Sequence, residues 1–399
     1  MASKGNFSIH PHGVFYDKRG EGARYEDGTS GADKADDAIR PGGSYLYIWN
    51  VTKRHAPTAD DDACVPWGYH GHTNPTRDIA SGLAGIGLIC KKESNHFLMH
   101  VIPFAVHGKR KDVDKEFVVY ADIADENKSF FFEESIQKCG QPDVCQARAV
   151  HIGIVVRFSV IYYDAGDEDF GISNEMHHIN GYVYGNQPPF KMSHGDRAVF
   201  YVISLNLASH IMRIIGHTMS IKHKRTENAL VNSASFLSAY TVACHPCHWL
   251  LNCRNLDHVV EDMLAFVDVS NKPVPSEIAG PGRRHGRIRK YYLAIEEIIW
   301  DYAPGLSPDN SVFLQQGSNR IGSKYKKAVY KLYTDTAFTT PVTRGDKENH
   351  SSFTATTSSG ANVAPGATYR YQFFVSSIDA PTKIDSSCIT YIYRSAVDL

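Results

Sequence analysis

Short segments rich in β-branched and aromatic residues dominate the chain, and helical periodicity is scarce. Segments of this kind, separated by clusters of Gly, Pro, Asn and Asp, predict β-strands. Their number and their aromatic content are typical of antiparallel β-sandwiches. The predicted strands are 44–51, 116–123, 151–162, 197–205, 247–251, 264–269, 288–295 and 369–375. Short helices are predicted near 77–84 and 228–238, and linkers at 91–114 and 270–287.

Composition and charge exclude several classes of protein. The 399 residues are 42% hydrophobic and 21% charged, which is ordinary for a globular chain of two to three domains. A formal net charge of -1 gives no electrostatic case for nucleic acid or an anionic membrane. No apolar run is long enough to predict a transmembrane segment, and the first residues lack the apolar core of a signal peptide. Sequons at Asn6, Asn50, Asn127 and Asn349 fit an oxidising, extracellular compartment.

One stretch, residues 252–263, carries the strongest chemical pattern. Cys253, His258 and Met263 supply a thiolate, an imidazole and a thioether at spacings that suit a mononuclear copper site, which needs only a second histidine. The alternative is an ordinary core in which Cys and Met lie near a histidine by chance.

Two further histidine pairs precede that stretch. His10 and His12, and likewise His70 and His72, are spaced at i and i+2, which places both imidazoles on one face of a strand or across a tight loop. Such pairs can bind adjacent metal ions, although a single pair is more often a surface or core feature.

Several motifs make the chain recognisable. They are SIHPHG at 8–13, YHGH at 69–72, DIASGL at 78–83, ICKK at 89–92, INGY at 179–182, WLLNC at 249–253, EEIIWDYAP at 296–304 and YRSAVD at 393–398. In this order, they resemble the multicopper ferroxidases of the ceruloplasmin and hephaestin type. Blood-clotting cofactors with the same A-type domains are a poorer match.

The resemblance implies an all-β fold of tandem cupredoxin, or plastocyanin-like, Greek-key β-sandwiches. Residues 1–92 would be the C-terminal half of a first domain. Residues 113–270 would be a complete second domain with a type 1 copper site, and residues 286–399 an incomplete third domain.

The same resemblance assigns copper ligands. The proposed type 1 site is His210, Cys253, His258 and Met263. His217 is an alternative candidate for the first histidine, but family spacing favours His210. Half of a trinuclear copper cluster would be His10, His12, His70 and His72. In relatives whose type 1 copper feeds that cluster directly, histidines flank the cysteine. Asn252 and Arg254 stand there in this chain, so the copper is predicted to be a remote relay or an acceptor of electrons from Fe(II).

Hard-cation sites are also implied. Asp257 matches a family carboxylate that binds Fe(II), but Asn206 replaces its acidic partner, and the alternative for Asp257 is a solvated loop residue. Asp36 and Asp37 match a calcium-binding segment, and the alternative is a solvated turn.

The resemblance also predicts the pairing state of some of the remaining cysteines. Cys64 and Cys90 match a family disulfide, whereas the second-domain bridge is missing at both of its ends, and Cys388 is predicted to be unpaired. Pairing of Cys139 with Cys145 stays open. The CHPCH motif at 244–248 allows a haem attachment, a zinc clip, a Cys244–Cys247 bridge or plain loop residues, and its predicted turn argues against haem.

Together these observations predict an extracellular or ectodomain copper enzyme that oxidises Fe(II) at a type 1 copper. Dioxygen would be a partner only if a terminal domain or a second chain completes the cluster. The rival prediction is a non-catalytic A-domain fragment with a role in adhesion or in clotting-like assembly.

Overall fold

The computed structural model describes residues 5–91, 110, 112–153, 168–206, 208–271, 290–303, 314–342 and 364–371. The chain divides into two compact units, Met1–Gly280 with Thr356–Leu399, and Pro281–Ala355. The strands in chain order are β1 (His10–Pro11), β2 (Cys64–His70), β3 (Ala84–Cys90), β4 (Lys115–Asp125), β5 (Glu175–Ile179), β6 (Phe190–Ser193), β7 (Arg197–Ser204), β8 (His210–Ile214), β9 (Met219–Ile221), β10 (Lys224–Thr226), β11 (Ala229–Val231), β12 (Ser235–Val242), β13 (Cys247–Cys253), β14 (Leu264–Ser270), β15 (Tyr292–Asp301) and β16 (Lys324–Tyr333). The α-helices are α1 (Pro75–Ala80), α2 (Phe132–Ile136), α3 (Pro142–Gly153), α4 (Glu168–Ile172) and α5 (Leu256–Val260), and the 3-10 helices are Lys18–Gly20, Gly31–Lys34 and Glu126–Lys128.

The larger unit contains a two-sheet β-sandwich, which confirms the predicted all-β class. One sheet has the order β10-β9-β12-β7-β4-β5 and the other β11-β8-β13-β14-β6. Neighbouring strands are antiparallel except for the pairs β4–β7 and β14–β6. Phe200 and Val202 of β7 pack in the core with Leu251, Cys253 and Met263. The predicted copper-binding residues therefore begin as members of a hydrophobic core.

Strand β7 is buried on both faces. Phe200 and Val202 face the sandwich core, while Val199, Tyr201 and Ile203 join a second apolar cluster. A strand covered on both faces does not alternate apolar and polar residues, and its sequence is one continuous apolar run.

A three-stranded sheet, β1-β2-β3, packs against that second cluster. Strand β2 alternates buried and half-buried residues, as a strand covered on one face does. Cys64 of β2 lies opposite Cys90 of β3 and is joined to it by a disulfide, as the resemblance implied. The Oγ of Ser238 in β12 donates to the carbonyl oxygen of Cys64 at 3.0 Å, so this sheet and the sandwich share a polar contact as well as an apolar one.

The second unit contains a β15–β16 hairpin, with Tyr292 opposite Tyr333 and Asp301 opposite Lys324. Among the described helices, none has the length and hydropathy that a membrane crossing requires.

Several local predictions are wrong. Residues 228–238 form no helix, because Ala229–Val231 pairs with β8 and Ser235–Val242 pairs with β7. Residues 44–51 form no strand beyond an isolated bridge between Asn50 and Phe15, and the Tyr47 hydroxyl donates to the carbonyl oxygen of Asp36. Residues 151–153 end helix α3, and 154–162 lie outside the described residues.

Two other predictions also need correction. The helix predicted near 77–84 begins at Pro75, because the Asn74 side chain accepts from the N–H of Arg77 and Pro75 suits the first turn. Residues 369–371 form no strand, and 372–375 lie outside the described residues.

Candidate metal centre

Three side chains from separate elements meet at one end of the sandwich. His210 begins β8, Cys253 ends β13, and His258 lies in the short helix α5 that follows β13. The Nδ1 atoms of His210 and His258 are 3.0 Å apart, and Cys253 Sγ is 3.4 Å from His258 Nδ1. All three ligand atoms lie within 4.8 Å of one another. The strand pairing brings this about, since Cys253 lies opposite Met212 in the neighbouring β8.

These separations fit one bound metal ion. A tetrahedral ion with bonds of about 2.0 Å holds two nitrogen ligands about 3.3 Å apart, close to the observed spacing. Burial, followed by the neighbouring histidines, lowers the pKa of His210 to about 3, and burial also lowers the pKa of His258. Both imidazoles are therefore neutral at physiological pH, the form that binds metal. Burial raises the pKa of the Cys253 thiol, so the thiolate depends on a cation for its stability.

Met263 is held close to the other donors by its backbone. Its N–H donates to the carbonyl oxygen of His258 at 2.9 Å, and its own carbonyl oxygen accepts from the N–H of Cys253 at 3.2 Å. The side chain is fully buried in the core. The preceding Asp262 has a φ of 50°, a left-handed conformation that glycine adopts more easily. The loop therefore keeps a glycine-like turn although its sequence carries an aspartate.

Two contacts behind the donor atoms are invisible in the sequence. The N–H of Ile211 donates to Cys253 Sγ at 3.4 Å. Asp122 of β4 is fully buried, and one of its carboxylate oxygens lies 4.0 Å from Nε2 of His210. Nothing in the spacing of residues 252–263 points to Asp122, which lies 130 positions before Asn252.

His177 of β5 is a further residue that sequence reasoning missed. Its ring lies 5.2 Å from that of His258, edge to face. The only sequence signal was its place beside His178, just before the INGY motif.

Other predicted residues lie outside the donor set. The His217 ring packs on Trp249, at 5.5 Å between centroids. Asp257 is exposed in the first turn of α5, and Asn206 donates from Nδ2 to the carbonyl oxygen of Ile123 at 2.7 Å. The predicted iron site therefore offers one exposed carboxylate, that of Asp257. The amide of Asn206, which replaces the second acid, is already hydrogen-bonded to the backbone.

The flanks of Cys253 are structural. Asn252 is buried and accepts from Nε of Arg213 at 3.3 Å, while Arg254 donates to Oδ1 of Asn228 at 3.2 Å. Neither side chain could bind a second metal ion through an imidazole.

The two upstream histidine pairs form one cluster. Strand β1 is antiparallel to β2 and places His10 opposite His70. Nε2 of His12 is 3.3 Å from Nε2 of His70, and the ring of His10 lies within 5.8 Å of the other three rings, centroid to centroid. Gly71, between His70 and His72, has no room for a side chain, because a Cβ there would lie 2.6 Å from Cβ of Asp78. Burial, followed by the neighbouring histidines, lowers the pKa of His12 to about 4.

The predicted calcium residues are engaged differently. Asp36 is fully buried and accepts from the N–H of Gly22 at 2.7 Å, and Asp37 is paired with Lys34 at 3.2 Å. A lysine ammonium thus already balances Asp37, and calcium finds no support.

The remaining cysteines are divided. Cys139 and Cys145 form a disulfide, which the sequence had left open. Cys244 and Cys247 are not joined by a disulfide, and Sγ of Cys244 donates to the carbonyl oxygen of Val242 at 3.2 Å. Cys247 is an exposed thiol and Cys253 a buried one. Cys388 lies outside the described residues.

A two-sheet sandwich with a buried Cys-His-His donor set at one end defines a protein of the cupredoxin class. The chain is 33% identical to human ferroxidase HEPHL1 over 98% of its own length and 36% of that protein. It is 35% identical to human ceruloplasmin over 86% of the chain and 31% of that protein, and 31% identical to rat hephaestin over 98% and 36%. The chain belongs to this family of multicopper ferroxidases, and it spans about a third of the length of these relatives.

Other comparisons add little. No protein-family model matches the chain. A crystal structure of a multicopper oxidase aligns with a TM-score of 0.41 at 15% identity, over 67% of this chain and 71% of that one.

Proposed function

We propose that this chain is a copper-binding, ferroxidase-type electron-transfer protein that accepts single electrons from Fe(II). The observation that carries the proposal is the convergence of Nδ1 of His210, Nδ1 of His258 and Sγ of Cys253 in a fully buried core. A thiolate with two imidazoles and a weak thioether is the donor set that favours copper over harder cations.

The chain's own residues prepare this site for copper. His210, Cys253 and His258 would hold the ion, and the thioether of Met263 would be a further, weaker donor. Copper bound there would supply one-electron redox chemistry. The surrounding apolar core excludes water, and a pre-formed donor set needs little rearrangement when the charge on the ion changes. The Ile211 N–H is placed to hold the negative charge on Cys253 Sγ.

Iron would be oxidised at the surface beside His258. Asp257 is exposed one residue before that histidine, and a carboxylate is a hard ligand that stabilises Fe(III) over Fe(II). The amide of Asn206 cannot supply a second negative charge, so we expect weak iron binding.

Dioxygen reduction would need more than this chain. His10, His12, His70 and His72 would provide half of a trinuclear cluster, and a terminal domain or second chain would provide the other half. The domain division at 1–92, 113–270 and 286–399, and an extracellular location, belong to the same proposal.

Copper reconstitution of the purified chain tests the proposal. We expect an intense blue absorbance from the copper-thiolate bond, which Cys253→Ser removes. Cys247→Ser is the matched control, because Cys247 is an exposed thiol on the same strand and its loss should leave the colour intact.

Electron transfer is tested without oxygen. Fe(II) added under anaerobic conditions should bleach the blue colour, more slowly in Asp257→Asn. Wild-type protein that stays colourless after reconstitution would refute the copper site and favour a non-catalytic A-domain role. A blue protein that Fe(II) fails to bleach would refute the ferroxidase role alone.

A further inference from the structure

The far side of the His210 imidazole is the least explained part of the site. His210 is fully buried, and its Nε2 has no hydrogen-bond partner among the described residues. A buried polar nitrogen without a partner is costly, so a group that compensates it is expected nearby. Oδ1 of Asp122 lies 4.0 Å from this nitrogen, which is about 1 Å too long for a hydrogen bond but well within electrostatic range at a site without water.

Asp122 is itself held firmly in place. Its Oδ2 accepts from the N–H groups of Leu205 and Asn206, both at 3.0 Å, and its Oδ1 accepts from its neighbour Ile123 at 3.0 Å. Leu205 and Asn206 follow β7 and begin the connection that leads to His210. One buried carboxylate thus holds the start of the chain segment that leads to the first histidine. Burial raises the pKa of Asp122, while the three N–H groups and a hydrogen bond with Tyr120 favour its charged form.

We infer that Asp122 is the positioning residue for His210, holding its proton on Nε2 and leaving Nδ1 free to bind copper. This inference rests on the proposed copper site. The Nδ1 atoms of His210 and His258 are 3.0 Å apart, so they cannot both carry a proton without conflict. A negative charge beside Nε2 selects the tautomer with the proton on that nitrogen, as carboxylates do behind metal-binding histidines in general.

Asp122→Asn should reverse this preference. The carboxylate uses both oxygens to accept from three backbone N–H groups, and an amide has only one oxygen. If that oxygen serves Leu205 and Asn206, the amide NH2 takes the place of Oδ1 beside His210. An N–H donor there favours an unprotonated Nε2, which moves the imidazole proton to the metal-binding nitrogen.

A first test uses the unaltered chain without copper. Long-range proton–nitrogen correlation NMR on protein with isotope-labelled histidine reports which nitrogen of each imidazole is protonated. The signal of His210 is assigned by its loss in His210→Gln. A proton on Nε2 is expected, and a proton on Nδ1 would overturn the inference. This measurement does not depend on copper binding, so it remains decisive even if the proposed function fails.

A second test compares two buried aspartates. Asp122→Asn should weaken copper binding by about 10- to 100-fold, the usual effect of removing such a partner, and should shift the reduction potential and the visible spectrum. Asp196→Asn is the matched control, since Asp196 is buried and accepts from the N–H of Ser193 at 2.8 Å. Asp196 precedes β7 and Leu205 follows it, so these two residues are separated by the length of the strand, about 30 Å.

The comparison separates positioning from stability. Both variants should lower the thermal stability of the apoprotein, but only Asp122→Asn should alter copper affinity and potential. Equal copper affinity and potential in the two variants would overturn the inference. If Asp122→Asn does not fold, the tautomer measurement on the unaltered chain decides.

Discussion

Met263 is either a ligand or only a filler of the core, and the two roles predict different results for two substitutions. Its side chain is fully buried in the same cluster as Cys253 and Leu251. Met263→Ala removes every atom beyond Cβ, a loss of roughly 2.5 kcal/mol in apolar transfer free energy. With a residual cavity added, the free energy of unfolding should fall by about 3 to 4 kcal/mol. Met263→Leu conserves volume and should cost less than about 1.5 kcal/mol.

Chemical denaturation of the copper-free protein measures both values. The leucine variant then isolates the role of the sulfur, because the packing is nearly kept and the thioether is lost. If Met263 is a copper ligand, Met263→Leu should change the reduction potential and the visible spectrum after reconstitution. A leucine variant with the spectrum and potential of the unaltered protein would show that Met263 is not a copper ligand. An alanine variant as stable as the leucine variant would refute the assumption of a rigid, filled core.

Three further predictions concern parts of the larger unit outside the donor set. Replacing Cys64 and Cys90 by Ala should lower the free energy of unfolding by about 3.5 kcal/mol, since the bridge closes a loop with a sequence separation of 26, and urea titration with and without reductant checks this. Asn127 should carry no glycan when the chain is secreted from eukaryotic cells, because its Nδ2 donates to Oδ1 of Asp125 and to the carbonyl oxygen of Gly171. Glycopeptide mass spectrometry checks this, and a glycan at Asn127 would contradict these hydrogen bonds. Arg110→Met should lower the free energy of unfolding by about 2 to 3 kcal/mol, because the hydroxyls of Tyr201 and Tyr240 lose a buried donor. Arg197→Met removes an exposed ion pair with Asp114 and should lower it by less than about 1 kcal/mol. Equal losses of stability in the two variants would show that burial does not decide the outcome.

Sequence reasoning performed well where a strand has a strong local pattern. The segments 116–123, 197–205 and 264–269 became β4, β7 and β14 with small changes at their ends. The prediction failed at 228–238, where residues of ordinary helix propensity pair with β8 in one sheet and with β7 in the other. Long-range pairing overrides local propensity there, and no local pattern can report it.

The donor set was predicted in a similar, partial way. Cys253, His258 and Met263 came from spacing, and His210 came from family resemblance. The structure brings His210, Cys253 and His258 together, yet metal binding itself stays a prediction. Asp122 and His177 were missed, because their relation to the site depends on how β4 and β5 pair with the rest of the sheet. Residues that contact a ligand residue only through the tertiary fold show no regular spacing from it in the sequence.

The burial of Cys253 has a consequence for biosynthesis. The described part of the chain contains two disulfides, and among its cysteines outside those bridges Cys253 alone is fully buried. A thiol is oxidised or exchanged only when an oxidant can reach it. During synthesis in an oxidising compartment, β13 must therefore take its place between β8 and β14 before the thiol of Cys253 finds another cysteine. The folded sheet then shields the sulfur from oxidation. The yield of protein able to bind copper is set by the rate of sheet assembly relative to the rate of disulfide mispairing.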